Sequence, residues 1–256
     1  MADVQPTLYP DLVGFGYRLP HLTESLSRQD KVKIVAIGSS STAGADGVVP
    51  FPPLLEQALR TRFYGRAIDV VNRGIGGQEA PEELARFESD VLAEAPDLVI
   101  WQVGTNAVYQ QCNFNPFHNF DDVGDAIAVG LGRLAALPMD VILMDVQFTQ
   151  AIVTINCGSS ATGPIGPDGT KMGLADDIQL RIARAAACAG VDVFRRWALM
   201  KRWYEDGIPL AQMDDGGTAR LHTSEWATKW VTIALDAAIG AAVGPVRGAR
   251  RGSFDV

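Results

Sequence analysis

Ser40, Gly77, Asn106 and His222 are the residues of this chain whose types could together carry out acyl transfer. Ser40 stands in Gly38-Ser39-Ser40-Ser41-Thr42, directly after the apolar run Ile34-Val35-Ala36-Ile37. A hydroxyl there can attack a carbonyl only if a base takes its proton and donors wait where the negative oxygen develops. The backbone N–H groups of Ser40 and Gly77 could supply two donors, and the Asn106 side-chain amide a third. Gly77 suits close approach because it has no Cβ. The base should be a histidine, and the chain has three. His21 lies in an N-terminal segment without a readable element, and His118 lies in the loop Asn115-Pro116-Phe117-His118-Asn119. His222 comes just before the last helix, where the chain can return to the sheet edge that bears Ser40. His222 is therefore the expected base. His21 and His118 are expected to be structural, with His118 also a candidate for lining a substrate pocket.

Such a set works only if one sheet edge holds it. The run at 34–37 reads as a buried strand that stops at small and hydroxyl residues. Helical spacing follows over 52–64. A second short strand at 68–71 leads into Asn72-Arg73-Gly74-Ile75-Gly76-Gly77. Pro81 opens another helix, and the strand at 97–103 ends in Gly104-Thr105-Asn106. A polar, aromatic loop is expected over 109–120, then a helix over 121–137 and a strand at 141–144. The Gly- and Pro-rich stretch 148–170 reads mostly as loop, long enough for a rim or lid over a site. A helix over 172–189, a strand at 191–194 and a final helix capped by Ser224 complete the pattern.

Alternating strands and helices imply an α/β fold: a three-layer α/β/α sandwich around a mostly parallel, flavodoxin-like sheet. In such a sheet the ends of all the strands that carry small and polar groups share one edge, where ligands bind. The expected organisation is an N-terminal extension over 1–30, one catalytic domain over 31–243 and a tail over 244–256. Trp101 is expected in the core, and Arg73 in a local salt bridge rather than on a substrate carboxylate.

Composition narrows the function classes. The 256 residues carry a net charge of −8, and the pI is near 4.9. That balance argues against nucleic acid or an anionic membrane surface as partner, since either would call for a basic patch. Arg247, Arg250 and Arg251 cluster only in the tail and read as solvated. No apolar run is long enough to span a bilayer. The polar opening, with Pro6 and Pro10 close behind, does not read as a signal peptide. It fits a cytoplasmic protein or, if a signal was removed, a periplasmic or secreted one. Cys112, Cys157 and Cys188 lack metal-ligand spacing. Cys188 is expected as a small core residue; Cys112 and Cys157 are read as two free thiols, or as a disulfide if the protein is exported.

The four blocks, taken in order, resemble those of the SGNH hydrolases of the GDSL esterase superfamily, over about residues 31–242. Gly38-Ser39-Ser40-Ser41-Thr42 resembles the first block, Asn72 to Gly77 the second, Gly104-Thr105-Asn106 the third and Leu221-His222 the last. The resemblance implies Ser40 as nucleophile, His222 as base, and Ser40, Gly77 and Asn106 as the oxyanion hole. Two departures stand out. The family's usual aspartate before the nucleophile is Ser39 here, and the usual aspartate three residues before the histidine is Ala219. Asp214 and Asp215 lie upstream, and Asp215 could orient His222 if part of the intervening stretch, which includes Gly216 and Gly217, is an insertion; otherwise the pair works as a Ser–His dyad. The implied activity is hydrolysis of short-chain carboxylic esters, extending by family analogy to carbohydrate O-acetyl esters, with no metal or organic cofactor. The partner is then a small-molecule or carbohydrate ester. A degenerate hydrolase, or a phosphate-binding module built on the Ser-rich loop, is the alternative.

Overall fold

The computed structural model describes residues 4–28, 31–113, 118–159, 165 and 171–246. Five strands form one sheet: β1 (Val32–Gly38), β2 (Ile68–Gly74), β3 (Leu98–Gln102), β4 (Asp140–Met144) and β5 (Asp192–Phe194). Their order is β2-β1-β3-β4-β5, and every neighbouring pair is parallel. Parallel strands need covering on both faces, and this explains their near-continuous apolar character. β3 and β4 are buried at all five positions. Chain order reverses between β1 and β3, and a crevice at that switch point is where an open α/β sheet places its ligand.

Thirteen α-helices and one short 3-10 helix (Leu92–Glu94) are present among the described residues. Before the sheet come α1 (Pro10–Val13) and α2 (Pro20–Arg28), and after β1 come α3 (Ser40–Ala43) and α4 (Phe51–Arg62). Between β2 and β3 run α5 (Ala80–Ala85) and α6 (Phe87–Asp90); α7 (Thr105–Asn113) and α8 (Phe120–Ala135) precede β4. The second half adds α9 (Gln150–Ser159), α10 (Leu174–Ala189), α11 (Arg196–Glu205), α12 (Leu210–Met213) and α13 (Glu225–Ala242). α8 packs against α5 and α10, and α13 packs against α4, which gives two helical layers around the sheet. Ser224 caps α13 by accepting from Ala227 N at 3.1 Å. No helix among the described residues is long and apolar enough to cross a membrane.

Residues 4–28 lie on the body of the fold. Leu22 and Leu26 are buried, and Leu22 N donates to the Asp140 carboxylate at 2.9 Å. Trp203 Nε1 donates to Thr7 O at 2.7 Å, tying the N-terminal segment to α11.

Three expectations need correction, and one element is new. The stretch 109–120 is not all loop, because α7 runs to Asn113 and buries Ala107 and Val108. The stretch 148–170 begins with α9 rather than loop. Its β-branched residues are mediocre helix formers, and packing of α9 against α7 and α10, with Ile152 fully buried, overrides that preference. α11 was not anticipated at all. Cys188 is exposed, not core. It sits six residues beyond buried Ile182, which turns it well away from the inward stripe of α10. The side chains of Cys112 and Cys157, and the arginines of the tail, lie outside the described residues.

Trp101 is fully buried and meets Phe87 edge-on at 4.8 Å. Gly130 of α8 lets that indole fit, since a Cβ there would come within 2.6 Å of the ring. The indole Nε1 donates to Glu83 Oε2 at 2.7 Å. Burial pushes the Glu83 carboxyl up to about 8, against the opposing pull of the Trp101 hydrogen bond. The folded state therefore holds a proton that the unfolded chain loses near the ordinary glutamate value. Stability from this group is complete below that value and is lost as pH rises through about 8. Glu83→Gln keeps an acceptor for Trp101 and removes the titration. Its melting temperature should fall less between pH 5 and 9 than that of the unmodified protein, as followed by circular dichroism. Equal slopes would mean that Glu83 stays out of this titration.

Candidate active site

The site begins where β1 ends. Ser39 precedes α3 in an extended conformation, and Ala43 N and Thr42 N donate to its carbonyl at 2.9 and 3.0 Å. Ser40 is the first residue of this four-residue helix, so its backbone N–H has no partner within the helix. Asn72, from β2, fixes the turn by donating to Thr42 O at 2.8 Å. Gly74 is required here, because a Cβ would lie 2.1 Å from Ala43 N.

His222 reaches the same point from 182 residues away, with Nε2 2.9 Å from Ser40 Oγ. Its Nδ1 lies 2.7 Å from Asp46 Oδ2 and 3.5 Å from Asp215 Oδ2. A proton on Nδ1, facing the carboxylates, leaves Nε2 as the acceptor for the Ser40 hydroxyl. The Asp215 side chain is buried, and its Oδ1 accepts from Gly217 N at 3.0 Å. The backbone of Asp215 also folds back onto the histidine, with Asp215 N donating to His222 O at 3.0 Å. Asp214 faces elsewhere and accepts from Gly216 N.

Two glutamines hold these parts together. Gln102, the last residue of β3, accepts from Ser39 Oγ at 3.1 Å and Thr42 Oγ1 at 3.3 Å. Gln147 lies just beyond β4 and accepts from Ser41 Oγ at 3.1 Å and Thr105 Oγ1 at 3.0 Å. Its amide then donates to Leu221 O at 2.9 Å, and Thr149 Oγ1 donates to the same carbonyl. The residue before His222 is thus bonded to the strand ends that carry Ser40. Neither glutamine was anticipated from sequence. For Gln102 the available signal was a polar, uncharged residue closing a buried apolar strand.

The glycine pair Gly76-Gly77 lies beside the serine; a Cβ on Gly76 would be 3.8 Å from Ser40 Cβ. Gly77 has φ +82 and open space on its Cβ side. Asn106 is buried at the start of α7 and donates to Gln78 O at 2.9 Å. Gln110 donates to Gly77 O at 3.1 Å, so one face of α7 braces this loop. Further along, Glu79 and Glu82 start α5. Burial pushes the Glu79 carboxyl up to about 7. Glu82 is held below its usual range despite burial, because it bonds His118 Nε2 at 2.5 Å. His118 therefore pairs with α5 and not with Ser40. Arg73 pairs with Glu94, and Arg86 donates to Gly38 O and Arg73 O, fastening the ends of β1 and β2.

Asp46, Asp215 and His222 are the one group among the described residues whose ligand atoms lie close enough, within 4.8 Å, to share a cation. The same Nδ1 cannot both ligate a metal and donate to a carboxylate. The contact with Ser40 fits the second use. The Ser40–His222 contact, with carboxylates on Nδ1, is an arrangement able to abstract the Ser40 proton.

The profile of the non-GDSL lipase-like family matches residues 7–163. An acetylxylan esterase of Geobacillus stearothermophilus is 32% identical over 99 residues, which are 39% of this chain and 43% of that protein. The uncharacterized lipoprotein YqeF of Bacillus subtilis is 36% identical over 76 residues, 28% of this chain and 31% of that protein. The chain thus matches less than half the length of either relative. The crystal structure of Axe2, an acetylxylan esterase from Geobacillus stearothermophilus, superposes with a TM-score of 0.63 at 20% identity, covering 90% of this chain and 96% of that one. A lipase/acylhydrolase from Enterococcus faecalis superposes at 0.60 and 17% identity, covering 84% and 98%. At those identities the likeness is one of fold.

Gln147→Leu should destabilise the protein by about 1–3 kcal/mol, the range for buried groups stripped of a partner. Denaturant unfolding at neutral pH measures this. A loss near zero would show that the glutamine is dispensable to the fold.

Proposed function

Since the chain belongs to the non-GDSL lipase-like family, within the SGNH hydrolases, we propose that it is a serine esterase acting on short-chain carboxylic esters. The observation that carries this reading is the 2.9 Å contact between Ser40 Oγ and His222 Nε2. His222 takes the hydroxyl proton as Ser40 Oγ adds to the acyl carbon. The carbonyl oxygen becomes an oxyanion, met by the N–H groups of Ser40 and Gly77 and the Asn106 amide. His222 then gives its proton to the departing alcohol, leaving an acyl-Ser40 ester. Water, deprotonated by the same imidazole, attacks that ester and releases the carboxylate and free Ser40.

Acetyl esters of carbohydrate alcohols are the substrates to which the likeness to acetylxylan esterase points. A phosphate-binding module on the Ser40 loop would leave the His222 contact without a task. A degenerate hydrolase would follow from the missing carboxylate at Ala219, yet two carboxylates face His222 Nδ1.

Ser40→Ala and His222→Ala should each lower p-nitrophenyl acetate hydrolysis by at least about a thousand-fold, and a fluorophosphonate should label Ser40 in the unmodified protein. Undiminished turnover in Ser40→Ala would overturn the assignment. Asn106→Ala should lower kcat by about 10²–10³ with little change in KM, the cost of losing one oxyanion donor. A change confined to KM would place Asn106 in ground-state binding instead.

A further inference from the structure

We infer that Asp46, delivered by the turn that follows the nucleophile helix, is the residue that positions His222, with Asp215 as a second, longer-range carboxylate on the same nitrogen. The inference rests on the serine-esterase reading and specifies its third member. Ala219 offers no carboxylate at the position where the resemblance leads one to expect it. Between the two aspartates the geometry favours Asp46, at 2.7 Å from Nδ1 against 3.5 Å for Asp215. Asp215 is also engaged in holding its own loop through Gly217 N.

The turn that carries Asp46 is built to hold it. Ala45 and Val48 form an antiparallel bridge, and Val48 N donates to Ala45 O at 3.0 Å. The two residues between them, Asp46 and Gly47, have φ of 55 and 78. Positive φ at both central positions is the pattern of a type I′ turn, in which Asp-Gly is a favoured pair. The turn is clamped on one side by α3 and on the other by Pro50, whose ring sits close to Gly44. An aspartate could occupy that position for the turn alone. What the turn does not explain is the carboxylate's aim at Nδ1, from a side chain that is 54% exposed and could hydrate instead.

This separates the two roles by experiment. Asparagine and glycine tolerate the left-handed conformation as well as aspartate does, so Asp46→Asn and Asp46→Gly keep the turn and remove the charge. A positioning role predicts that Asp46→Asn lowers kcat for p-nitrophenyl acetate by at least about a hundred-fold, with KM within about threefold, approaching the loss seen when a triad acid is made an amide. Fluorophosphonate labelling of Ser40 should slow in parallel. Asp215→Asn should lose less than about tenfold. Asp46→Glu should recover part of the Asn loss, and formate, unlike chloride at equal ionic strength, should raise the rate of Asp46→Gly. A loss below tenfold in Asp46→Asn, a larger loss in Asp215→Asn, or equal stimulation by chloride would overturn the assignment. Ser40→Ala run alongside keeps the two readings apart. Turnover that survives Ser40→Ala sinks the esterase mechanism and this inference with it, whereas serine-dependent turnover indifferent to Asp46→Asn sinks this inference alone.

Discussion

The hydrogen bond from the Gln147 amide to Leu221 O is the constraint on which the site depends. A proton can pass between Ser40 and His222 only if two residues far apart in the chain are held to within a few tenths of an ångström. The sheet fixes Ser40 through β1. His222 follows α12 in a segment outside the sheet, held to itself by the antiparallel Asp214–Thr223 bridge. Gln147 links it to the sheet edge, since it lies just beyond β4 and bonds Ser41 and Thr105 with its oxygen and Leu221 with its nitrogen. Gln102 does the same for β1 and β3 through Ser39 and Thr42. Both side chains are almost wholly buried. A buried amide in that position strongly favours the arrangement that satisfies it, because an unmatched polar group is costly away from water. The rigidity of the site therefore comes from polar atoms within the apolar sheet edge, and the surrounding core supplies the dryness that makes them selective.

Much of the fold was legible because buried parallel strands leave continuous apolar runs. The runs at 34–37, 97–103 and 141–144 stand out, and each is followed by small or polar residues that cannot continue it. Ser40, Gly77, Asn106 and His222 could be picked out because they occupy those ends or the loop that returns to them. The structure brings Ser40 and His222 into contact and ties Asn106 to the loop of Gly77. α9 has the β-branched composition of a strand or loop and is helical through its packing. Gln102 and Gln147 look like ordinary polar punctuation until their partners are known. Asp46-Gly47 is a sound turn signal, yet a turn reading says nothing of where the carboxylate points. Asp215 was reachable by counting back from the histidine; Asp46 is 176 residues from it and was not.

The placement of Asp46 bears on why Ala219 is tolerable. The imidazole needs a negative group at Nδ1 to fix its tautomer and to stabilise the imidazolium as the Ser40 proton arrives. That requirement specifies a point in space and a charge, and leaves the chain segment free. A carboxylate three residues before the histidine meets it by riding on the same loop. A carboxylate six residues after the serine meets it by riding on the other partner. On the proposed reading the second solution ties the acid to the nucleophile, since the Ala45–Val48 turn directly follows α3, whose Thr42 is bonded by Asn72 and Gln102. Both hydrogen-bonding partners of the His222 ring then lie on one segment, Ser40 to Asp46. The loop over 214–223 is left with a simpler task, which is to deliver one imidazole at the correct height. Asp215 serves that task twice, through its backbone bond to His222 O and through a carboxylate that keeps the field at Nδ1 negative. On this account the chemistry depends on where the charge stands relative to Nδ1, and the spacing along the chain is free to vary.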